Sequence, residues 1–225
     1  MFTVDSESNQ GRKRIPNEEI AAAAKENSDM MMAFASIDPH KGNMGAPEAE
    51  ELIKQHNVKG FNFHPTVKGF HPNDKRAWPI YEVINAHKPP AIFHTGHSGI
   101  GSGMYCGGKL RLEYSIPMHL GDVAVNFGDM QIVMAQLSFP WQDKALSVAT
   151  QKPNVWIDLS KWSPKYFPKQ LVHYANTLLK DRVLFSSDCP LITPERWMKD
   201  VEEAGFKPEV MPGILKRNAV RLLGL

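Results

Sequence analysis

At 225 residues the chain suits one domain with a sizeable core, and its net charge of +2 gives no reason to expect nucleic acid or an anionic membrane surface as partner. Its two cysteines, Cys106 and Cys189, form no CxxC pair, which argues against a zinc ribbon or a disulfide framework and fits a reducing compartment. The opening Met-Phe-Thr-Val-Asp-Ser-Glu lacks a signal peptide's basic start and apolar core, and no run of about 18 apolar residues occurs, so a cytoplasmic, non-membrane protein is expected.

In chain order, residues 1–16 read as a polar, irregular segment and 17–225 as the folded domain. Asn17 is placed to cap a helix running to Asn27, and Met30 to Ile37 reads as a first strand with the methionines in the core. Pro47 suits the first turn of a helix whose Ala49, Leu52 and Ile53 face inward. The pattern then predicts a strand from Val58 to Phe63, a loop, a helix from Asp74 to His87 and a strand from Pro90 to His94. A glycine-rich stretch, 96–108, leads to a helix at Pro117 to Phe127 and a strand at Gln131 to Gln136. Helices at Trp141 to Gln151 and Pro168 to Lys180 alternate with strands at Asn154 to Leu159 and Arg182 to Ser186. Two helices close the chain, one capped by Thr193 with Pro194 in its first turn, the other spanning Pro212 to Leu222.

Six strands alternating with helices predict a parallel sheet with right-handed crossovers. A (β/α)₈ barrel needs eight strands, so the choices are an open doubly wound sheet or a barrel lacking two units. Strands that are apolar throughout are buried on both faces, and a polar residue just past each one collects at the carboxyl edge, where such folds keep their chemistry.

His94, after Ala91-Ile92-Phe93, reads either as a metal ligand or as a strand-end histidine bonded to a neighbouring loop. Asp188, in Ser-Ser-Asp-Cys-Pro, reads as a ligand or as the base taking a proton from metal-bound water. His64 before Pro65, and Asp158 before Leu159-Ser160, suit local backbone bonding as well as substrate contact. His97, His71 and His119 lie in loops within reach of a substrate, and Lys109 and Arg111 follow the glycine-rich loop where an anionic group could meet them. That loop lacks GxGxxG and GK[ST], so it reads as a substrate-covering loop and not as a phosphate cradle. No GxSxG nucleophile elbow occurs.

Taken in series, Val58-Lys59-Gly60-Phe61-Asn62-Phe63-His64-Pro65, Phe93-His94-Thr95-Gly96, Ser138-Phe139-Pro140-Trp141, Asn154-Val155-Trp156-Ile157-Asp158-Leu159-Ser160, Leu184-Phe185-Ser186-Ser187-Asp188-Cys189-Pro190 and Asn218-Ala219-Val220-Arg221-Leu222-Leu223-Gly224 resemble the amidohydrolase-related family. The resemblance is to the branch of aminocarboxymuconate-semialdehyde and γ-resorcylate decarboxylases. The Trp162-to-Pro168 segment looks closest to 4-hydroxyphenyl-β-ketoacyl-CoA hydrolases. It implies a (β/α)₈ barrel with a divalent metal, zinc or alternatively manganese, at its carboxyl face. His94 and Asp188 would be metal ligands after strands five and eight, making the six strands here strands three to eight.

Three departures stand out. The family's His-x-His after strand one has no counterpart, so the chain is expected to open downstream of it and to bind metal weakly. Gln136 stands in place of the histidine that helps activate water, so the resemblance implies Asp188 and Gln136 at the catalytic positions, with turnover reduced. Ser186-Ser187-Asp188 stands for Gly-Ser-Asp, and Asn62 for a common lysine.

The resemblance implies a metal-dependent hydrolase of an aromatic-derived acid or acyl-CoA, with decarboxylation as the alternative chemistry on the same scaffold. His64, His97, Arg111 and Asp158 would contact the small-molecule substrate. Two rivals are an inactive truncated barrel acting as a binding or assembly protein, and an open α/β domain without metal. A barrel lacking two strands exposes the edges of Met30–Ile37 and Arg182–Ser186, which predicts a homo-oligomer.

Overall fold

A computed structural model describes residues 1–225. Its strands are β1 (Phe34–Ala35), β2 (Gly60–Phe63), β3 (Ala91–His94), β4 (Ile132–Ala135), β5 (Val155–Asp158) and β6 (Val183–Leu184). They form a single six-stranded sheet in chain order, every neighbouring pair parallel. Sequential parallel pairing with a helical crossover at each step is the wall of an α/β barrel, here incomplete with six strands. The helices are α1 (Glu7–Gln10), α2 (Asn17–Glu26), α3 (Gly45–His56), α4 (Pro65–Lys68), α5 (Trp78–His87), α6 (Met118–Asn126), α7 (Gln142–Gln151), α8 (Lys169–Ala175), α9 (Pro194–Val201) and α10 (Asn218–Leu223).

The two faces of the sheet follow the period of two expected of strands. On one face Phe61, Phe63, Phe93, Met134, Ile157 and Val183 join the helices in a core cluster of 43 buried residues. On the other, Val133, Trp156 and Leu184 form a small cluster, with Ile92 and with Ala219 and Leu222 of α10 packed against it. Both faces are therefore dry, which is why the strands read as unbroken apolar runs. Gly60 is required where β1 meets β2, because a Cβ there would fall 2.2 Å from the Phe34 ring.

The N-terminal segment is irregular apart from a bridge at Phe2 and the four-residue helix α1, yet it is ordered. It is held to the body by Asp5, whose side chain is fully buried. Asp5 Oδ2 accepts from the Asp38 amide at 3.2 Å and from Lys41 Nζ at 3.1 Å, while its own amide donates to Ser36 Oγ at 3.1 Å. Phe2 pairs in parallel with Phe34, and α1 follows. The polar composition that suggested an irregular segment belongs to an ordered network of buried hydrogen bonds.

Four smaller features also differ from expectation. Asn17 is the first residue of α2 and not its cap; its amide both donates to Ser36 O (3.1 Å) and accepts from Ser36 N (2.8 Å). The Met30–Ile37 strand shrinks to Phe34–Ala35, and Met30 is 75% exposed, because the Met30 and Met31 amides donate to Asn27 O in the turn after α2. The loop after β2 holds the one-turn helix α4, capped by His64. The last helix begins with a π-helical turn, Gly213–Arg217, before α10.

The edges expected to lie bare are both covered. Phe34 donates to Met1 O at 2.8 Å on the β1 side. On the β6 side the Phe185 amide donates to Ile214 O at 2.9 Å, and Asn218 Nδ2 donates to Val183 O at 2.8 Å. Blunting an edge with other chain segments removes the template for strand addition.

Candidate functional site

Parallel strands bring their carboxyl ends to one side, so the residues that close each apolar run meet there. His94 and Asp158 are the last residues of β3 and β5. His64 and Gln136 come directly after β2 and β4, and Asp188 lies four residues past β6. The backbone turns sharply at two of these ends: Gln136, Leu137 and Ser138 all have positive φ (70°, 55° and 60°), as does Asp188 (59°). These turns aim side chains away from the strand direction.

A line of amide and imidazole groups crosses the edge. Gln136 Nε2 donates to His94 Nδ1 at 3.0 Å, and His94 Nε2 donates to Asn62 Oδ1 at 3.1 Å. Asn62 Nδ2 in turn points at Thr3 O, 3.5 Å away. This network fixes the neutral tautomer with the proton on Nε2. Burial, with Lys161 and Lys68 adding positive charge, pushes the His94 imidazolium down to about 4. The His64 ring stacks on His94 with centroids 4.3 Å apart, and burial likewise holds it well below the usual histidine range. His64 Nδ1 accepts from the Val67 amide, so its first task is to cap α4. Phe2 stands edge-on to His94 at 6.0 Å, bringing the N-terminal segment to the site.

The acidic pair behaves oppositely. Asp158 Oδ1 accepts from the Ser160 amide at 2.9 Å, the local bond its sequence suggested. Burial nevertheless raises its carboxyl to about 6, and Asp188 adds to the rise. Asp188 is half-buried and also raised by burial, with Lys161 opposing. Lys161, at positive φ (72°), donates from Nζ to His97 O at 2.9 Å. Sequence reading missed this lysine, although it sits three residues past Asp158 at the end of an apolar run. His97 thus contributes a carbonyl to the edge. Arg111 is exposed and paired with Glu113 at 3.6 Å, and His71 and His119 bond to each other and not into this line of groups.

Beneath the edge, Lys68 is fully buried, with Nζ donating to Ser36 Oγ at 2.8 Å and to Ile37 O at 2.7 Å. Two concavities, of about 400 and 600 Å³, are lined by residues that precede strands, among them Lys180 and Asp181 or Ala33 and Lys59. They open at the opposite ends of the strands from this chemistry.

Carboxylates, imidazoles and a lysine thus lie at the carboxyl edge of a parallel α/β wall, the edge at which α/β barrels keep their chemistry. Residues 8–225 match the amidohydrolase family, and the chain belongs to it. No functionally curated protein matches it by sequence. Among solved structures, an uncharacterised TIM-barrel protein from Bordetella bronchiseptica is similar at 25% identity and a TM-score of 0.80, covering 98% of this chain and 76% of that one. The 5-carboxyvanillate decarboxylase of Sphingomonas paucimobilis shares the fold at 17% identity (TM-score 0.71, 98% and 75% covered). So does a dihydroxybenzoic acid decarboxylase from Polaromonas, solved with manganese and 2-nitroresorcinol, at 16% identity (TM-score 0.71, 93% and 74% covered).

A divalent metal of the kind seen in that relative does not fit the residues present. No three His, Cys, Asp or Glu side chains come together into the three-ligand set of a catalytic metal. Both nitrogens of His94 are already committed, to Gln136 and Asn62. Catalytic zinc sites commonly have three protein ligands, so His94 and Asp188 fall short of that number.

Proposed function

We propose that this edge binds an aromatic carboxylic acid and that its chemistry is decarboxylation. The single observation carrying this reading is Asp158, a carboxyl raised to about 6 by burial and by Asp188, at an edge where the half-buried Lys161 faces Asp188. The decarboxylases sharing the fold make this the preferred chemistry over hydrolysis. Hydrolysis would need an activated water, and Gln136, unlike an imidazole, cannot take up and return a proton near neutral pH.

In this reading the Lys161 ammonium pairs with the substrate carboxylate, while the neutral His94 and His64 rings flank the aromatic ring. Protonated Asp158 gives its proton to the ring carbon bearing the carboxylate. The bond from that carbon to CO₂ then breaks, its electron pair returns to the ring, and CO₂ leaves. Asp158 regains a proton from water. General acid catalysis typically contributes ~10²–10⁴-fold, so turnover is slow beside that of a metal-loaded relative.

The test is product formation from 2,6-dihydroxybenzoate and 5-carboxyvanillate, followed by chromatography, for the unmodified chain and for Asp158→Asn and Lys161→Met. Slow product formation lost in Asp158→Asn, with weakened binding in Lys161→Met, is expected. Equal rates in Asp158→Asn would overturn the assignment.

A further inference from the structure

The loop after α4 and the first turn of α6 bring together two imidazoles that the decarboxylase reading does not use. His71 Nδ1 and His119 Nε2 lie 3.3 Å apart, while the ring centroids are 4.7 Å apart, so the rings converge through those nitrogens. Two nitrogens bound at ~2.0–2.1 Å to one tetrahedral cation would stand about 3.3–3.4 Å from each other. The observed separation suits an N–H···N hydrogen bond and equally matches two ligands on one ion.

Burial and the neighbouring His71 hold the His119 imidazolium below its usual range, while Glu113 and Asp122, one turn on in α6, pull the other way. Asp122 also accepts from Asn73 Nδ2 at 2.8 Å, a second tie between the loop and α6. Both rings are half-buried and reachable from solvent. This contrasts with His94, whose two nitrogens are bonded to amides.

We propose that His71 and His119 form a two-histidine site for a divalent transition cation, which clips the loop at 71–74 to α6. No third His, Cys, Asp or Glu joins the pair closely enough to complete a three-ligand set, so water fills the remaining positions. Imidazole donors suit Zn²⁺, Ni²⁺ and Cu²⁺, and the affinity should follow Cu²⁺ above Ni²⁺ above Co²⁺. Without metal, the pair shares one proton in an N–H···N hydrogen bond.

The experiment titrates the intact chain with Cu²⁺, Ni²⁺ and Zn²⁺ separately, by calorimetry, with electron paramagnetic resonance of the Cu²⁺ form. One equivalent is expected, with a signal showing two nitrogen donors. Affinity should fall at least tenfold in His119→Gln and in His71→Ala, and stay unchanged in His94→Ala. Circular dichroism confirms that each variant is folded; His119→Gln, at a half-exposed helix position, serves if His71→Ala is not. Binding that survives both loop substitutions, or that is lost in His94→Ala instead, would overturn the proposal. So would no binding by the unmodified chain.

Discussion

Replacing Lys68 by methionine should flatten the stability of this protein between pH 7 and 10. Burial pushes the Lys68 ammonium from 10.5 down to about 7, against the attraction of Asp5 and Asp38. At 1.36 kcal/mol per tenfold change in proton affinity, that drop is a cost of roughly 5 kcal/mol for keeping the lysine charged in the fold. Its folded value lies below its unfolded one, so the unfolded chain holds more protons over this window and stability rises with pH. The cost is fully present below about 7 and relieved as pH approaches 10. Linkage then gives roughly 2 kcal/mol of extra stability between pH 7 and 9 from this residue alone. Lys68→Met removes the titration, while leaving Ile37 O without its donor at about 1–3 kcal/mol; Ser36 Oγ keeps the Asp5 amide. The assay is urea unfolding of both proteins at pH 7, 8 and 9. Convergence of their midpoints toward low pH and divergence toward high pH is expected. Parallel pH dependence in the two proteins would refute the reasoning.

Three further outcomes follow from the same geometry. Asp5→Ala removes the acceptor for Lys41 and for the Asp38 amide and should cost about 3 kcal/mol, read as a fall of roughly 6–12 °C in melting temperature. Gly96→Ala should cost about 3 kcal/mol, from a strained φ of +82° and a Cβ 2.5 Å from Phe139 O; chemical denaturation measures it. Binding of an aromatic carboxylate should weaken as pH rises through about 6, where Asp158 ionises and repels the ligand, and Asp158→Asn should remove that dependence in a fluorescence or calorimetric titration.

The wall of the barrel was legible because its strands are buried on both faces and its helices are punctuated by Pro47, Pro117 and Pro194. The polar residue closing each apolar run was legible for the same reason, and His64, His94, Gln136, Asp158 and Asp188 all stand at strand carboxyl ends. What the pattern hid is long-range. Asp5, Asn17, Ser36 and Lys68 carry polar side chains that periodicity assigns to solvent, yet each is bonded in the interior. Lys161 reaches the edge through a positive-φ turn that no local signal marks. Arg111, expected at the substrate, is exposed beside Glu113. His71 and His119 are distant in sequence, and only the packing of α6 against the loop pairs them.

The most direct measurement is equilibrium binding of 2,6-dihydroxybenzoate to the protein stripped of metal with a chelator, beside Lys161→Met. The account predicts that the unmodified protein binds without added metal and that Lys161→Met binds at least tenfold more weakly. Binding that appears only on adding Mn²⁺, or that is the same in Lys161→Met, would contradict it.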